Sequence, residues 1–283
     1  MIVRATLLAL AALAVASAAT AQELRMVPVT VDGSTVRLAM RVYTPPTPEP
    51  APTLVFNHGS TGRGTDPTIM VRPIDFPPLA KFFTDRGWAV VLPARRGRGG
   101  SEGLYDEGFN ADRSLGYACN VDLSLPGADR GLRDIDAAMD AILAMPFVDR
   151  SRIVVGGQSR GGILSVAYAG RRPEHVKGVI NFVGGWLGER CHVSGEVNQT
   201  LMRRGAAYRR EMLWLYGDND PFYSLAHSRK SFEAFQKAGG VGAMHEFPSP
   251  PDTNGHRISG YPDLWTSVVE SYLTRLGLPA RPR

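Results

Sequence analysis

The sequence predicts an α/β protein in which helices cover both faces of a mostly parallel, doubly wound sheet. Short apolar runs recur along the chain, and amphipathic stretches separate them. Strands that alternate with helices in this way are typical of parallel sheets, because each parallel connection needs a crossover. The 262 residues that follow residue 21 are enough for one large domain of this class.

The first half of the chain opens with a predicted β-hairpin over residues 24–43, whose polar turn is Asp32-Gly33-Ser34. A proline-rich connection then leads to a short buried strand that ends before His58-Gly59. Apolar runs predict strands, and apolar residues at helical spacing predict helices. We expect strands at 53–56, 88–92 and 152–156, and helices at 79–86, 129–145 and 162–169.

The second half continues the same alternation, with strands expected at 176–183, 212–216 and 244–247 and helices at 224–238 and 262–276. Two long segments, 95–128 and 184–210, have no clear periodicity, and both follow predicted strands. We expect them over the carboxyl edge of the sheet, where folds of this class bind ligands.

The amino terminus has the pattern of a secretory signal peptide. Residues 1–4 form a short start that carries the basic Arg4, residues 5–16 are almost wholly apolar, and Ala19-Thr20-Ala21 provides a small-residue cleavage site. The apolar run is shorter than a membrane helix requires, although a retained anchor is the alternative. The sequence therefore predicts residues 1–21 as a signal peptide and 22–283 as a single domain. We expect a periplasmic or secreted protein with no stable membrane anchor.

The formal net charge is +5, and it falls to +4 once Arg4 is removed with the leader. This modest excess is weak evidence for nucleic-acid binding. The arginine-rich residues 95–100 lack the GxGxxG spacing of a dinucleotide site. No histidine and cysteine spacing resembles a zinc or haem site, so we expect no cofactor and no metal. The oligomeric state is left open.

Residues 157–161, Gly-Gln-Ser-Arg-Gly, carry the strongest chemical signal. They follow an apolar strand and precede a helix, which is the context of a nucleophile elbow. A serine on so tight a turn is exposed at the carboxyl end of its strand, with glycines on either side where only small residues fit. Ser159 is therefore the candidate nucleophile.

A serine nucleophile needs a base, usually histidine, and a carboxylate that orients it. On elbow folds the chain order is serine, acid, histidine. Asp220, after the apolar strand at 212–216, is favoured as the acid. His256, in a glycine-flanked loop before the last helix, is favoured as the base. The alternatives left open are Asp218 and Glu189 for the acid, and His227 and His245 for the base.

Acyl transfer also requires hydrogen-bond donors for the developing oxyanion. The backbone amide of Arg160 follows the nucleophile, and the turn after the strand at 53–56 would supply a second amide, from Ser60 or else Thr61. His58 precedes the serine in the chain, so we expect it to brace this turn. Three loop aromatic residues are candidate pocket walls, with core packing as the alternative: Trp186, Tyr105 and Phe222.

These segments together resemble the α/β-hydrolase superfamily. The resemblance rests on His58-Gly59, residues 96–101, the elbow, residues 217–220 and Gly255-His256, which span most of the mature chain. The compact length without a large cap resembles dienelactone hydrolase-like and prolyl-oligopeptidase-type members. Dienelactone hydrolases proper carry cysteine at the position of Ser159, so the serine favours ordinary ester chemistry over lactone specificity.

The resemblance and the residues together predict an exported serine hydrolase that cleaves carboxylic esters through an acyl-enzyme. Its substrate is expected to be a small ester or a short peptide. The alternatives are a serine peptidase of the prolyl-oligopeptidase type and a non-catalytic ligand-binding protein of the same fold, since a fold alone does not establish activity.

Cys119 and Cys191 are the two cysteines of the chain, and each lies in one of the two long irregular segments. An exported protein with two cysteines can form a disulfide in an oxidising compartment, so we expect them to pair. The alternative is two separate buried thiols. A disulfide would connect the two segments into a partial lid over the site.

Overall fold

The computed structural model describes residues 21–46 and 49–282. The predicted signal peptide lies outside the described residues, apart from Ala21. Within them, no helix is long and apolar enough to cross a membrane.

Eight strands form one open, mostly parallel sheet, which confirms the predicted fold class. The first two strands pair with each other as the predicted antiparallel hairpin, and the second also pairs antiparallel with the fourth. All later pairings are parallel. The strands are β1 (Ala21–Val31), β2 (Ser34–Thr44), β3 (Ala51–Asn57), β4 (Ala89–Pro93), β5 (Val148–Gln158), β6 (Gly178–Phe182), β7 (Met212–Gly217) and β8 (Gly242–Phe247), in the spatial order β1-β2-β4-β3-β5-β6-β7-β8.

Helices cover both faces of this sheet. The segments are α1 (Pro67–Val71), α2 (Pro77–Thr84), α3 (Val121–Leu143), α4 (Arg160–Arg171), α5 (Ser194–Arg204), α6 (Leu225–Lys237) and α7 (Pro262–Arg275). Helices α3, α4, α5 and α6 contact one another in sequence, whereas α2 contacts α7. Every residue of β3, β4, β6 and β7 is buried, as expected for strands that are covered on both faces.

Two predicted irregular segments contain regular structure. Helix α3 begins at Val121 rather than at residue 129, because Asn120 caps it by accepting a hydrogen bond from the amide of Leu123 at 2.8 Å. Pro126 is the sixth residue of the helix, so α3 lacks one of its backbone hydrogen bonds at this point. Helix α5 lies inside the segment 184–210 and buries Val197, Leu201 and Met202 on one side.

The remaining parts of these segments meet above the carboxyl ends of the central strands. The hydroxyl of Tyr117 accepts a hydrogen bond from the amide of Thr61, which follows β3. The Arg160 side chain, at the start of α4, donates to the carbonyl oxygens of Glu107 and Trp186 at 2.9 and 3.1 Å. Both loops therefore contact the end of the sheet that carries Ser159.

Candidate active site

Ser159 lies on a strained turn between β5 and α4. Its φ is +58°, in the left-handed region that residues with a side chain rarely occupy. The turn is so tight that a Cβ added to Gly161 would lie 1.9 Å from the carbonyl oxygen of Asn57. A Cβ on Gly157 would lie 2.4 Å from the backbone of Gly161. The two glycines therefore allow the strand, the turn and the helix to approach closely enough to present the serine.

The Ser159 backbone is fixed by hydrogen bonds to neighbouring loops. Its amide donates to the carbonyl oxygen of Phe182 at 3.0 Å, and its own carbonyl oxygen accepts from the amides of Ile163 and Gly185 at 3.2 Å. Because Ser159 precedes the first residue of α4, the positive end of the helix dipole lies beside its hydroxyl. The residue is 5% exposed, so the serine that the sequence analysis expected to be exposed is buried beneath the neighbouring loops.

Asp220 and His256 are in direct contact. The Nδ1 atom of His256 lies 2.8 Å from Oδ2 of Asp220, whose side chain is fully buried. The other carboxylate oxygen accepts from the amides of Phe222 and Tyr223 at 2.8 and 3.1 Å. The carboxylate is therefore held in one orientation, and it orients the imidazole in turn.

The alternative acids have other partners. The Asp218 carboxylate accepts hydrogen bonds from both the amide and the hydroxyl of Ser249 at 2.6 Å. It therefore joins the turn that follows β7 to the loop that follows β8. Glu189 accepts from the Ser224 hydroxyl at 2.7 Å at an exposed position. Among the described residues neither carboxylate forms an ion pair or hydrogen bond with a histidine, although the charge of Glu189 acts on His227 and partly offsets the lowering of its pKa.

The alternative bases also lie elsewhere. The Nε2 atom of His227 is 2.9 Å from Nδ2 of Asn198, and burial lowers the pKa of His227. His245 lies within β8. Among the candidate histidines, His256 is the one in contact with a candidate acid.

Two further residues, which the sequence analysis did not single out, connect His256 to the elbow. The Gln158 amide group donates to the carbonyl oxygen of His256 at 2.5 Å, so the residue before the nucleophile holds the histidine loop. The Tyr223 ring lies 5.7 Å from the His256 ring, centroid to centroid. Burial raises the pKa of the Tyr223 phenol to about 12, and contact with the Ser159 hydroxyl acts in the opposite direction. Tyr223 lies three residues after Asp220, but this spacing alone does not distinguish it from other loop aromatic residues.

The turn after β3 lies against the nucleophile. A Cβ added to Gly59 would lie 3.2 Å from Cβ and 3.7 Å from Oγ of Ser159. The next amide, that of Ser60, has no hydrogen-bond acceptor within the described residues. The amide of Arg160 belongs to the first turn of α4, where amides have no acceptor in their own helix. Both amides are thus available to a ligand.

His58 has the bracing position that the sequence analysis expected. Its Nε2 atom accepts a hydrogen bond from the amide of Arg95 at 3.1 Å, so the proton is on Nδ1, which donates to the carbonyl oxygen of Gly59 at 2.7 Å. Burial, together with the nearby charges of Arg95 and Arg98, holds the pKa of His58 well below its usual value. His58 is therefore a neutral donor within the turn.

A buried ionic cluster connects the start of α4 with the turn after β3. Glu107, 2% exposed, pairs with the guanidinium groups of Arg95 and Arg160. Burial opposes ionisation of Glu107, but the two arginines outweigh it and lower its pKa. The Tyr105 hydroxyl donates to Glu107 at 2.7 Å. Glu107 was not identified from the sequence, because a single acid in an irregular segment carries no periodic or motif signal.

The three predicted pocket residues have different surroundings. Tyr105 and Trp186 are 3% and 2% exposed, and they pack against the ionic cluster. The Trp186 ring lies 4.1 Å from the guanidinium carbon of Arg160. Phe222 is 43% exposed, and its ring lies 4.7 Å from the His256 ring. Phe222 is thus the one of the three that is both open to solvent and next to a candidate catalytic residue, while contact of the other two with a substrate stays a prediction.

Cys119 and Cys191 form a disulfide, which confirms their predicted pairing. His192 lies beside them, with Nδ1 3.5 Å from Sγ of Cys119. Both sulfurs are in the disulfide, so this group does not offer a set of metal ligands. The bond connects the loop that carries Tyr105 and Glu107 to the loop that carries Trp186.

A sequence profile of the X-Pro dipeptidyl-peptidase (S15) family matches residues 32–199. The chain belongs to this family. The match contains the elbow and the turn after β3 but ends before Asp220 and His256. As an S15 member, the chain is a serine hydrolase rather than a non-catalytic binding protein, and its reaction is of the esterase or peptidase type.

Solved structures share the α/β-hydrolase fold of this S15 chain at low sequence identity. The esterase Pf2001 of Pyrococcus furiosus has 14% identity and a TM-score of 0.61, over 90% of each chain. Est1E from Butyrivibrio proteoclasticus, determined with ferulic acid bound, has 17% identity and a TM-score of 0.60, over 89% of this chain and 99% of its own. A prolyl endopeptidase has 18% identity and a TM-score of 0.57, over 91% of this chain and 39% of its own.

Proposed function

We propose that the protein is an exported serine hydrolase that cleaves carboxylic esters of small molecules through an acyl-enzyme, with Ser159, His256 and Asp220 as its triad. The observation that carries the proposal is the 2.8 Å contact between His256 Nδ1 and the buried Asp220 carboxylate, on the loop that Gln158 ties to the elbow. A buried carboxylate on Nδ1 leaves the other imidazole nitrogen free to act as a base.

In the acylation step, the neutral imidazole of His256 accepts the Ser159 proton at Nε2 as the serine oxygen attacks the ester carbonyl carbon. Asp220 stabilises the positive charge that develops on the ring, and it fixes the tautomer by accepting from Nδ1–H. The amides of Ser60 and Arg160 donate to the carbonyl oxygen as it becomes negative. Collapse of the intermediate expels the alcohol, which takes the proton from His256.

In the deacylation step, a water molecule takes the place of the alcohol, and the same groups act again. His256 removes a proton from the water, which attacks the acyl carbon. The tetrahedral intermediate then breaks its bond to the Ser159 oxygen, which takes the proton back from His256, and the carboxylic acid is released. The low exposure of Ser159 supports this mechanism, because hydrogen bonds to an oxyanion are stronger where water is excluded.

Labelling with a fluorophosphonate probe tests the nucleophile. The wild-type protein should be labelled once, and Ser159→Ala should lose both the label and the hydrolysis of p-nitrophenyl esters while its circular dichroism spectrum is unchanged. Ser165→Ala is the matched control, because Ser165 is a buried serine of α4 whose partners among the described residues are the backbone of Gly156 and Gly161 and the Asn57 side chain. Labelling of Ser159→Ala at another serine would contradict the proposal.

Peptide cleavage is the second candidate function, and the observation that favours it is the S15 family match. The bond cleaved would then be an amide after a prolyl residue, attacked by the same triad. Parallel assays of p-nitrophenyl esters and of Xaa-Pro p-nitroanilides separate the two functions. A higher kcat/KM for the anilides would assign the protein to the peptidases.

Export is the remaining part of the proposal. The apolar residues 5–16 and the small residues before Gln22 support it, as does a disulfide, which persists in oxidising compartments. Mass spectrometry of the protein from the periplasmic fraction should give a mature terminus near Gln22. Recovery of the intact chain from the cytosol alone would contradict export.

A further inference from the structure

The carbonyl oxygen of Gly59 is unusual in that three side-chain donors converge on it. Nδ1 of His58 lies 2.7 Å away, Nη1 of Arg98 lies 3.3 Å away, and Nη2 of Arg95 lies 3.5 Å away. Two of these donors are guanidinium groups, so the oxygen faces a concentrated positive charge. Donors that carry charge form the stronger hydrogen bonds.

The donors are themselves held in place. Arg95 is 2% exposed, pairs with Glu107, and donates from Nη1 to the carbonyl oxygen of His58 at 2.9 Å. Arg98 is 4% exposed, and its guanidinium carbon lies 5.2 Å from the centroid of the Tyr105 ring. The arrangement is therefore a rigid cradle around one carbonyl group.

This carbonyl belongs to the same peptide unit as the Ser60 amide. In a planar trans peptide, the C=O and the N–H point in opposite directions, and no cis peptide occurs in the described residues. Donors that hold the Gly59 oxygen on one side therefore direct the Ser60 N–H to the other side. Hydrogen bonding to a C=O also polarises the peptide and makes its N–H a better donor.

We infer that Arg98, together with Arg95 and His58, positions and polarises the Gly59–Ser60 peptide as a donor to the oxyanion. The inference rests on the proposed function, because it assigns a purpose to the oxyanion turn of that reaction. Arg98 is a positioning residue, since it acts through the peptide and does not touch the substrate.

Arg98 offers the cleanest variant of the three. No carboxylate pairs with Arg98 within residues 21–46 and 49–282, so its removal leaves no buried acid without a partner. Removal of Arg95, in contrast, would leave Glu107 short of one of its two cations. The control is Arg86, a second buried arginine, which donates to the carbonyl oxygens of Phe82 and Ala280 and pairs with Glu270. Arg281 also pairs with Glu270, so removal of Arg86 does not leave that carboxylate without a cation.

The expected effect is small and specific. An oxyanion donor contributes a factor of about 10²–10³ to kcat, and polarisation strengthens a hydrogen bond by about 10–30%. Arg98→Met should therefore lower kcat by about two- to tenfold while KM stays constant, because the interaction strengthens only as the oxyanion forms. Arg98→Lys keeps the charge and a donor, so its kcat should lie between those of Arg98→Met and the wild type.

The experiment makes two measurements. The first is kcat on a p-nitrophenyl ester, divided by the concentration of active sites that a fluorophosphonate titrates. The second is the inhibition constant of a trifluoromethyl ketone, which forms a hemiketal with the serine. Titration removes any loss that is due to misfolded protein. In Arg98→Met, the inhibition constant should rise by the same factor as kcat falls, since both report on the oxyanion. Arg86→Met should change neither value per titrated site.

An unchanged kcat per titrated site in Arg98→Met would overturn the inference and leave the proposed function intact. So would a fall in kcat with an unchanged inhibition constant. If Arg98→Met does not fold, Arg98→Lys decides by the same two measurements. Failure of the wild-type protein to react with the fluorophosphonate would instead overturn the proposed function, and the inference with it.

Discussion

Asp218 and Asp220 show how neighbouring residues of one type acquire different roles from their partners. Asp218 accepts from the Ser249 amide and hydroxyl, whereas Asp220 is directed at His256 and is fixed by two backbone amides. In the sequence analysis, the spacing from the end of the strand favoured Asp220 as the acid that orients the histidine, with Asp218 as an alternative. The role of Asp218 follows from its contact with Ser249, about thirty residues later in the chain, which the local sequence does not indicate.

Asp220→Asn should lower kcat by about 10⁴-fold, because an amide NH₂ facing Nδ1 favours the tautomer whose Nε2 already carries a proton. Asp218→Asn is the matched control and should keep kcat within about tenfold, since it changes a turn contact. Both variants are assayed at saturating p-nitrophenyl ester. Equal losses in the two variants would show that Asp220 is not the orienting acid.

His58 should make stability depend on pH. Its pKa is far below normal in the folded protein, so between that pKa and about 6.5 the unfolded chain binds one more proton than the native state. The free energy of unfolding should therefore fall as the pH drops below about 6.5, with His58 contributing about 1.4 kcal/mol per pH unit. Urea denaturation of the wild type and of His58→Gln between pH 5 and 7.5 isolates this contribution as the difference between the slopes. Identical slopes would mean that His58 ionises freely.

At the scale of elements, the sequence predicted the central strands well and the loop segments poorly. Strands such as β4 and β7 are continuous apolar runs bounded by polar or glycine residues, so their local pattern is sufficient. Helix α5 was missed because its sequence is mostly polar, and its buried side is defined by contacts with α4 and α6. The start of α3 was missed because a proline usually ends or breaks a helix, whereas α3 continues through Pro126, its sixth residue.

The elbow between β5 and α4 should be the element least tolerant of a methyl group. Gly161→Ala would place Cβ 1.9 Å from the Asn57 carbonyl oxygen, so β3 or α4 must move. We expect a loss of about 3 kcal/mol or more in the free energy of unfolding, together with loss of activity. Gly260→Ala is the control, because nothing lies within 4 Å of the added Cβ, and it should change stability by less than about 0.5 kcal/mol. Denaturant unfolding followed by circular dichroism measures both, and equal stability of the two variants would contradict the close packing of the elbow.

At the scale of the whole molecule, the two long loops and the sheet form one connected unit around the candidate site. Arg160 donates to backbone carbonyls in both loops, and its guanidinium carbon lies 3.6 Å from the Tyr117 ring. The disulfide joins the same loops covalently, and its Cys119 side is exposed to solvent. Composition could predict that two cysteines pair, but it could not predict Glu107 as the centre of the cluster, because long-range ion pairs leave no trace in local sequence.

The disulfide should therefore contribute a large share of the stability. Its cysteines are 72 residues apart, and closing a loop of that length stabilises the folded state by roughly 4 kcal/mol on the chain-entropy account. Replacing both cysteines by serine should lower the free energy of unfolding by about that amount and Tm by about 8–16 °C. Dithiothreitol should destabilise the wild type to a similar extent and leave the Cys119→Ser/Cys191→Ser variant unchanged. The unreduced, denatured wild type should show no free thiol, and two titratable thiols would mean that the cysteines are not paired.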